Sequence, residues 1–351
     1  MEATTSYQLM YKDHVVIEFN SDPLHDDEIV NQQFVPIGIQ NGMGLEAWLR
    51  QRRADRSRVS VRKLFATLKM NFGDDQYVSQ FRKPTDFWWI RQKGSEEVFD
   101  VEVEDLYRLS LNLSPLIPKS PRNFETTNIG SYEKGWKGDV LLKAGNSNEL
   151  FSELLYAKIS AKYMDTAKYF LTEIEGRTFI ATPNFVDLKK GEYLILADEW
   201  TGTGPEEDVE GWLERFKSHL EDHELETLKE MHFLDVVLNN FDRHCQNFGF
   251  VYSEEGSRKI APNFDFNLSI IGYNGLEHLG VNEMPIATYF KSFDCVPPKF
   301  FNLPDASWLK EAVDEISNEM GLPTEAYLPL VDWILVRWEQ LIDVARERNL
   351  R

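Results

Sequence analysis

Residues 235–267, DVVLNNFDRHCQNFGFVYSEEGSRKIAPNFDFN, constrain this chain more than any other stretch. An apolar run ends in Asn239 and Asn240, which favour caps and turns, so a helix is expected to stop near Leu238. The loop that follows carries Asp242, Arg243 and His244, with Asn247 five residues past Asp242. NFGFVY and RKIAP flank the polar turn SEEGS and predict a β-hairpin that leads to Asp265. A hairpin brings its ends together, so Asn247 and Asp265 are expected to be neighbours. Two acids and an amide then stand at the open ends of short elements. Asn247 and Asp265 offer oxygen donors of the kind Mg²⁺ takes while keeping waters. A carboxylate at Asp242 can accept a proton from an attacking hydroxyl. The plainer alternative is a capped helix with Asp242 and Arg243 as surface charges and Asp265 as a turn residue at a strand end.

The length of 351 residues allows two domains or one large two-lobed domain. A hydrophobic fraction of 42% suffices for a sizeable core. There are 58 acidic residues against 38 basic ones, a formal net charge of −20. Such a surface repels nucleic acid and anionic membrane, so no direct nucleic-acid binding and no membrane attachment is expected. Cys245 and Cys295 form no ligand pattern, and a reduced cytosolic protein is a simpler reading than a disulfide. The start has no basic segment followed by an apolar core, and no apolar run reaches about 18 residues, so a cytoplasmic location is expected.

Along the chain, 9–19 predicts one or two strands, 20–33 a loop, and 45–53 and 59–70 helices. The basic run 50–63 reads as a solvated helical face, or else as a docking patch. Trp88 and Trp89 read as packing residues. Residues 110–137 lack periodicity and suggest a linker or functional loop, with a boundary near 118. Beyond it, 139–143 is a short strand ending in Lys143, and 149–163 a helix with Asn148 as N-cap. Segments 167–175, 177–185 and 193–197 predict strands of one antiparallel sheet, and an acidic loop at 201–210 precedes helices at 211–220 and 223–240. Helices at 306–320 and 324–347 complete the chain. This gives three parts: 1–117 of uncertain role, 118–200, and 201–351. A strand lysine followed by a helix glutamate, Lys143 with Glu153 and Glu149 as competitor, is an arrangement that pairs an ATP-phosphate lysine with a carboxylate.

With N-N-F-D-R-H-C-Q-N-F at 239–248 and A-P-N-F-D-F at 261–266, the chain resembles the HipA-like kinase family over roughly residues 115–345. VLLKAG and NELFSELLYAKIS resemble that family's ATP-lysine strand and following helix. The resemblance implies an α+β, two-lobed kinase-like fold. It has an antiparallel-sheet N-lobe and a mainly helical C-lobe, here with an extra N-terminal α/β region. It also implies a serine/threonine protein kinase using ATP and Mg²⁺ on a protein substrate. Asp242 would be the catalytic base, and Asn247 and Asp265 would hold the metal. Lys143 would bind phosphates and Glu153 would orient it. Asn184, Phe185 and Val186 would form the adenine hinge, and His244 would brace the loop. Several members are toxins with a small antitoxin as a separate chain, so an antitoxin-like partner is implied. The phosphate loop departs from a glycine-rich pattern, with only Gly130, Gly135 and Gly138. Ser131 beside Gly130, or alternatively Ser120, would be the autophosphorylation site. Alternatives are a small-molecule phosphotransferase, or a nucleotide-binding pseudokinase acting as an interaction module.

Overall fold

The computed structural model describes residues 6–20, 27–52, 83, 85–99, 134–174, 176–202, 214, 216–281 and 283–348. The chain divides into two compact units. The first takes Met1–Ala144, Pro183–Glu207 and Phe250–Arg258; the second takes Gly145–Thr182, Asp208–Gly249 and Lys259–Arg351. The predicted helix at 59–70, most of the basic run, residues 101–133 and most of the helix at 211–220 lie outside the described residues.

In the first unit, β1 (Ser6–Tyr11) and β2 (His14–Asn20) form an antiparallel hairpin with Leu9 opposite Ile17. With β3 (Glu28–Ile29) and β4 (Trp88–Gln92) they make a sheet of order β3-β2-β1-β4. Successive strand side chains face opposite ways, yet Leu9, Met10 and Tyr11 are all buried, so both faces of β1 are covered. Helix α1 (Leu45–Gln51) adds Trp48 and Leu49 to a core containing Val16, Ile17, Phe87 and Trp88. Trp88 and Trp89 are packing residues, and their indole nitrogens donate to the carbonyls of Phe34 and Lys12. Arg52 departs from the solvated face expected of the basic run. It is 1% exposed and bonded bidentately to Asp86 at 2.7 and 2.8 Å. A second hairpin joins β5 (Lys134–Lys137) to β6 (Val140–Lys143), turning at Gly138 with φ +56°.

In the second unit, α2 (Ser147–Ser160) opens on a capping box. The cap is Asn146 rather than Asn148: its side-chain oxygen accepts from the N–H groups of Asn148 and Glu149, and the Glu149 carboxylate accepts from the Asn146 N–H. Strands β7 (Phe170–Ile174) and β8 (Arg177–Pro183) form the expected hairpin around Gly176. The third strand of that expected sheet, β9 (Glu192–Leu196), belongs elsewhere. The chain turns at Gly191, φ +79°, and β9 joins the tip of the hairpin β10 (Gly249–Ser253) and β11 (Arg258–Ile260) in the first unit. Helices α3 (Asp222–Val237), α4 (Ala306–Glu319) and α5 (Pro329–Glu347) form the helical part. The single helix expected over 324–347 is broken after Thr324–Tyr327, because Pro329 has no N–H and fits only a first turn. Cys245 is buried and Cys295 half-buried, and neither is part of a disulfide. No helix among the described residues is long and apolar enough to cross a membrane.

Candidate functional site

The end of α3 sets the site. Asn239 adopts the left-handed conformation, φ +56°. The Asn240 N–H then donates to the Asp235 carbonyl at 2.7 Å and the Asn239 N–H to the Val236 carbonyl at 3.4 Å. These are the two bonds of a Schellman termination, with Asn in place of the usual glycine. The Asn239 side chain accepts from the Met284 N–H, which fixes the turn from outside. Asn240 then works in both directions: its amide nitrogen donates to Asp235 Oδ1 at 2.7 Å, and its oxygen accepts from the Asp242 N–H at 3.3 Å.

Asp242 and Asn247 are in contact. Asn247 Nδ2 donates to the Asp242 carbonyl at 2.6 Å and reaches Asp242 Oδ2 at 3.5 Å. With its nitrogen engaged, Asn247 has its amide oxygen to offer. Its side chain is buried, whereas the Asp242 side chain is 35% exposed. His244 Nδ1 accepts from the Gln246 N–H, and Nε2 lies 4.0 Å from Asp242 Oδ1, too long for a hydrogen bond. Burial pushes the Asp242 carboxyl above its ordinary pKa. His244 pulls the other way, and the nearby charge of Asp265 adds to the rise. Asp265 itself sits at φ +64°, a conformation that non-glycine residues rarely adopt and Asp tolerates better than most. The Tyr169 hydroxyl accepts from its N–H at 2.9 Å. Phe266, next in sequence, is fully buried and stacked on Tyr156 with ring centroids 4.1 Å apart.

The guanidinium of Arg243 ties these pieces together. Its Nη1 donates to the Asn247 carbonyl at 2.6 Å and to the Phe264 carbonyl, one residue before Asp265, at 3.0 Å. Nη2 donates to Asn263 Oδ1 and, with Nε, to the Asp235 carboxylate. Asp235 also accepts from the Tyr156 hydroxyl at 2.8 Å. Sequence reasoning missed this hub: it gives Arg243 a place only in the plainer alternative, as a surface charge. A usable signal was Asp235, an acid inside the apolar run 233–238, since a buried carboxylate requires a partner.

The other expected site residues are distributed as follows. Lys143 ends β6 in the first unit and is 7% exposed; Glu153 lies in α2 of the second and is 1% exposed. Glu149 is engaged in the capping box of that helix through the Asn146 N–H, which separates it from Glu153. In the first unit, the Asn184 N–H donates to the Asp139 carbonyl and the Val186 N–H to Asn184 Oδ1, so the segment including Phe185 is tied beside the start of β6. Gly130 and Ser131 lie outside the described residues. Asn247 and Asp265 supply hard oxygen donors beside a second carboxylate, a set that suits Mg²⁺. Among the described residues no group of three or more His, Cys, Asp or Glu side chains could hold a metal ion. Mg²⁺ is compatible with that, because it is commonly held by one or two carboxylates together with waters and substrate phosphates.

No family model matches the chain, and no curated protein matches it. Among solved structures, the chain is similar to HipA of Shewanella oneidensis MR-1, seen in a complex with HipB and operator DNA. The TM-score is 0.56 at 12% identity, covering 98% of this chain and 100% of that one. A Helicobacter pylori proinflammatory kinase, CtkA, matches with TM-score 0.41 and 18% identity over 60% of this chain and 90% of that one. The fold is therefore α+β of the two-lobed HipA-like type, sheet-rich towards the N-terminus and mostly helical towards the C-terminus, as expected.

Proposed function

We propose that this protein is an ATP- and Mg²⁺-dependent serine/threonine protein kinase of the HipA-like type. The observation that carries the proposal is that one guanidinium, Arg243, bonds both the Asn247 carbonyl and the Phe264 carbonyl. The amide after Asp242 and the acid at 265 are thus held in one frame. In this reading Asp242 accepts the proton of the attacking hydroxyl, and its raised pKa brings it nearer the working pH than an ordinary carboxylate. Asn247 and Asp265 hold Mg²⁺, which when bound neutralises charge on the phosphate oxygens. His244 braces the loop. Lys143 and the segment Asn184, Phe185 and Val186 would serve the nucleotide, with Glu153 as the proposed partner of Lys143; Gly130 and Ser131 would serve the phosphates, with Ser131 the proposed site of autophosphorylation. Catalysis of this kind rests on positioning and charge neutralisation, so few residues suffice.

The similar HipA structure is a complex with HipB and operator DNA, and an antitoxin-like protein partner is proposed here too. With a net charge of −20, this chain leaves DNA contact to the partner. Transfer of labelled phosphate from ATP, with wild type and Asp242→Asn, tests the assignment. Wild type is expected to label itself or a protein substrate, and the variant to lose about 100- to 10,000-fold in rate. Equal labelling by both refutes Asp242 as the base.

A further inference from the structure

Phe241 and Tyr273 are large rings left in solvent, 41% and 65% exposed. Single exposed apolar side chains are ordinary, but these two touch, with centroids 5.6 Å apart and planes inclined at 47°. Phe241 is the residue before Asp242, whose own side chain is 35% exposed. Consecutive Cα atoms lie about 3.8 Å apart, so the ring pair begins beside the proposed base.

The segment from Asp265 to Tyr273 brings the second ring to the first through a strained path. Asp265 sits at φ +64° and Ile270 at φ +48°, an outlier for a β-branched residue. The Ile270 N–H donates to the Leu238 carbonyl at 2.7 Å, at the end of α3, and its side chain is buried. Ser269 Oγ donates to the Phe266 carbonyl at 2.6 Å, and the Gly272 N–H to the Ser269 carbonyl at 2.7 Å. A Cβ on Gly272 would lie 1.8 Å from the Asn267 carbonyl oxygen, so only glycine fits there. Beyond the ring, Asn274 Nδ2 donates to the Val281 carbonyl and the Met284 N–H to Asn239 Oδ1, which closes the loop back onto the end of α3. Tyr273 is thus fixed to the same helix end that sets Asp242. Backbone strain persists only where the surroundings over-determine it, and it clusters at functional sites. Here it delivers an exposed ring to an exposed ring.

We propose that the Phe241–Tyr273 pair receives a large apolar side chain of the protein substrate, close in sequence to the serine or threonine that Asp242 addresses. The inference rests on the kinase reading and gives its substrate a class. A hydroxyl in contact with Asp242 brings its own chain with it. An extended chain advances about 3.3 Å per residue, so a side chain within about three residues of that hydroxyl spans the distance to both rings.

The test uses the full-length chain and a Ser-centred peptide series in which one phenylalanine is walked along an alanine–lysine background. With labelled ATP and Mg²⁺, wild type is expected to favour phenylalanine over alanine about tenfold at one position, within about three residues of the serine. Phe241→Gln and Tyr273→Gln, which alter exposed rings, should erase that preference through KM rather than kcat. Proton–carbon NMR of the Phe241 and Tyr273 rings without ATP reads docking with no phosphoryl transfer and no variant. Both rings should shift saturably with the phenylalanine peptides and not with the peptide lacking phenylalanine. Ring shifts in a wild type that labels no peptide would support the docking site and sink the kinase reading alone. Labelling without a phenylalanine preference, or rings that ignore the peptides, overturns the proposal. So do ring shifts on dilution of the protein alone, which mark a second copy of the chain as the occupant.

Discussion

Arg52 in the first unit and Arg243 in the second are both buried against a carboxylate, yet they direct their donors differently. Arg52 faces Asp86 fork to fork, bonds the Trp88 carbonyl at 3.1 Å, and lies over the Trp48 ring at 4.5 Å. These partners lie in the packed core of the sheet and its helix. Arg243 gives Asp235 only part of its capacity and extends the rest to carbonyls and an amide on two separate chain segments. The same ion-pair chemistry therefore closes a core in one place and positions a loop in the other. A buried pair is weak evidence for net stability, but removing one partner leaves an uncompensated charge and is costly.

The largest expected effect comes from Arg243→Ala and Arg52→Ala compared side by side. Each should lose about 3–5 kcal/mol of stability in urea denaturation. Phosphoryl transfer per folded molecule should collapse in Arg243→Ala and stay within about threefold of wild type in Arg52→Ala, because only Arg243 touches the loop. Equal loss of specific activity in both would erase the distinction. A middle-sized effect is expected from Tyr156→Phe, which removes the hydroxyl donor to Asp235 but leaves Asn240 and Arg243 in place. A cost of about 1–2 kcal/mol with activity largely retained would show that Asp235 is over-determined.

The smallest effect is electrostatic. Burial first, and the Asp265 charge further, raise the pKa of Asp242. A raised folded-state pKa means that the fold prefers the protonated acid. The associated stability is present at low pH and is lost as pH rises through the folded pKa, while activity needs the ionised form and is lost as pH falls through it. Asp265→Asn keeps a side chain that tolerates the left-handed backbone and deletes the charge. Carbon-13 NMR titration should then find the Asp242 pKa lower than in wild type. An unchanged or higher value would mean that the two acids do not interact.

The comparison also explains what was legible in the sequence. The Asp242-to-Asn247 spacing, the stop at Asn239 and Asn240 and the hairpin before Asp265 are local signals, written in turn chemistry and periodicity, and the elements appear where expected. Arg52 and Arg243 were not legible as buried residues. Charged side chains are usually exposed, and the partners of Arg243 include backbone carbonyls, which have no sequence signature. The misassigned strand β9 has the same origin. Its alternation marks a strand correctly, but strand pairing is decided by residues far away in the chain. The N-cap of α2 shifted by two residues because three asparagine or serine positions in a row can all cap a helix, and only the reciprocal Glu149 contact selects Asn146.

The first unit is assembled from three separated stretches, and this has a consequence for synthesis. Tyr11 on β1 donates its hydroxyl to Glu254, 243 residues later, and Tyr193 stacks on Tyr252. At roughly 5–20 residues per second, β1 waits on the order of 12–50 s after leaving the ribosome before its last partners exist. Its core partners Val16, Ile17, Trp48, Phe87 and Trp88 are made much earlier, so what waits through that interval is the tie of Tyr11 to Glu254. Nascent chains cut before residue 85 should therefore be the more prone to aggregate, and chains cut before residue 250 should keep the sheet and lack only this tie.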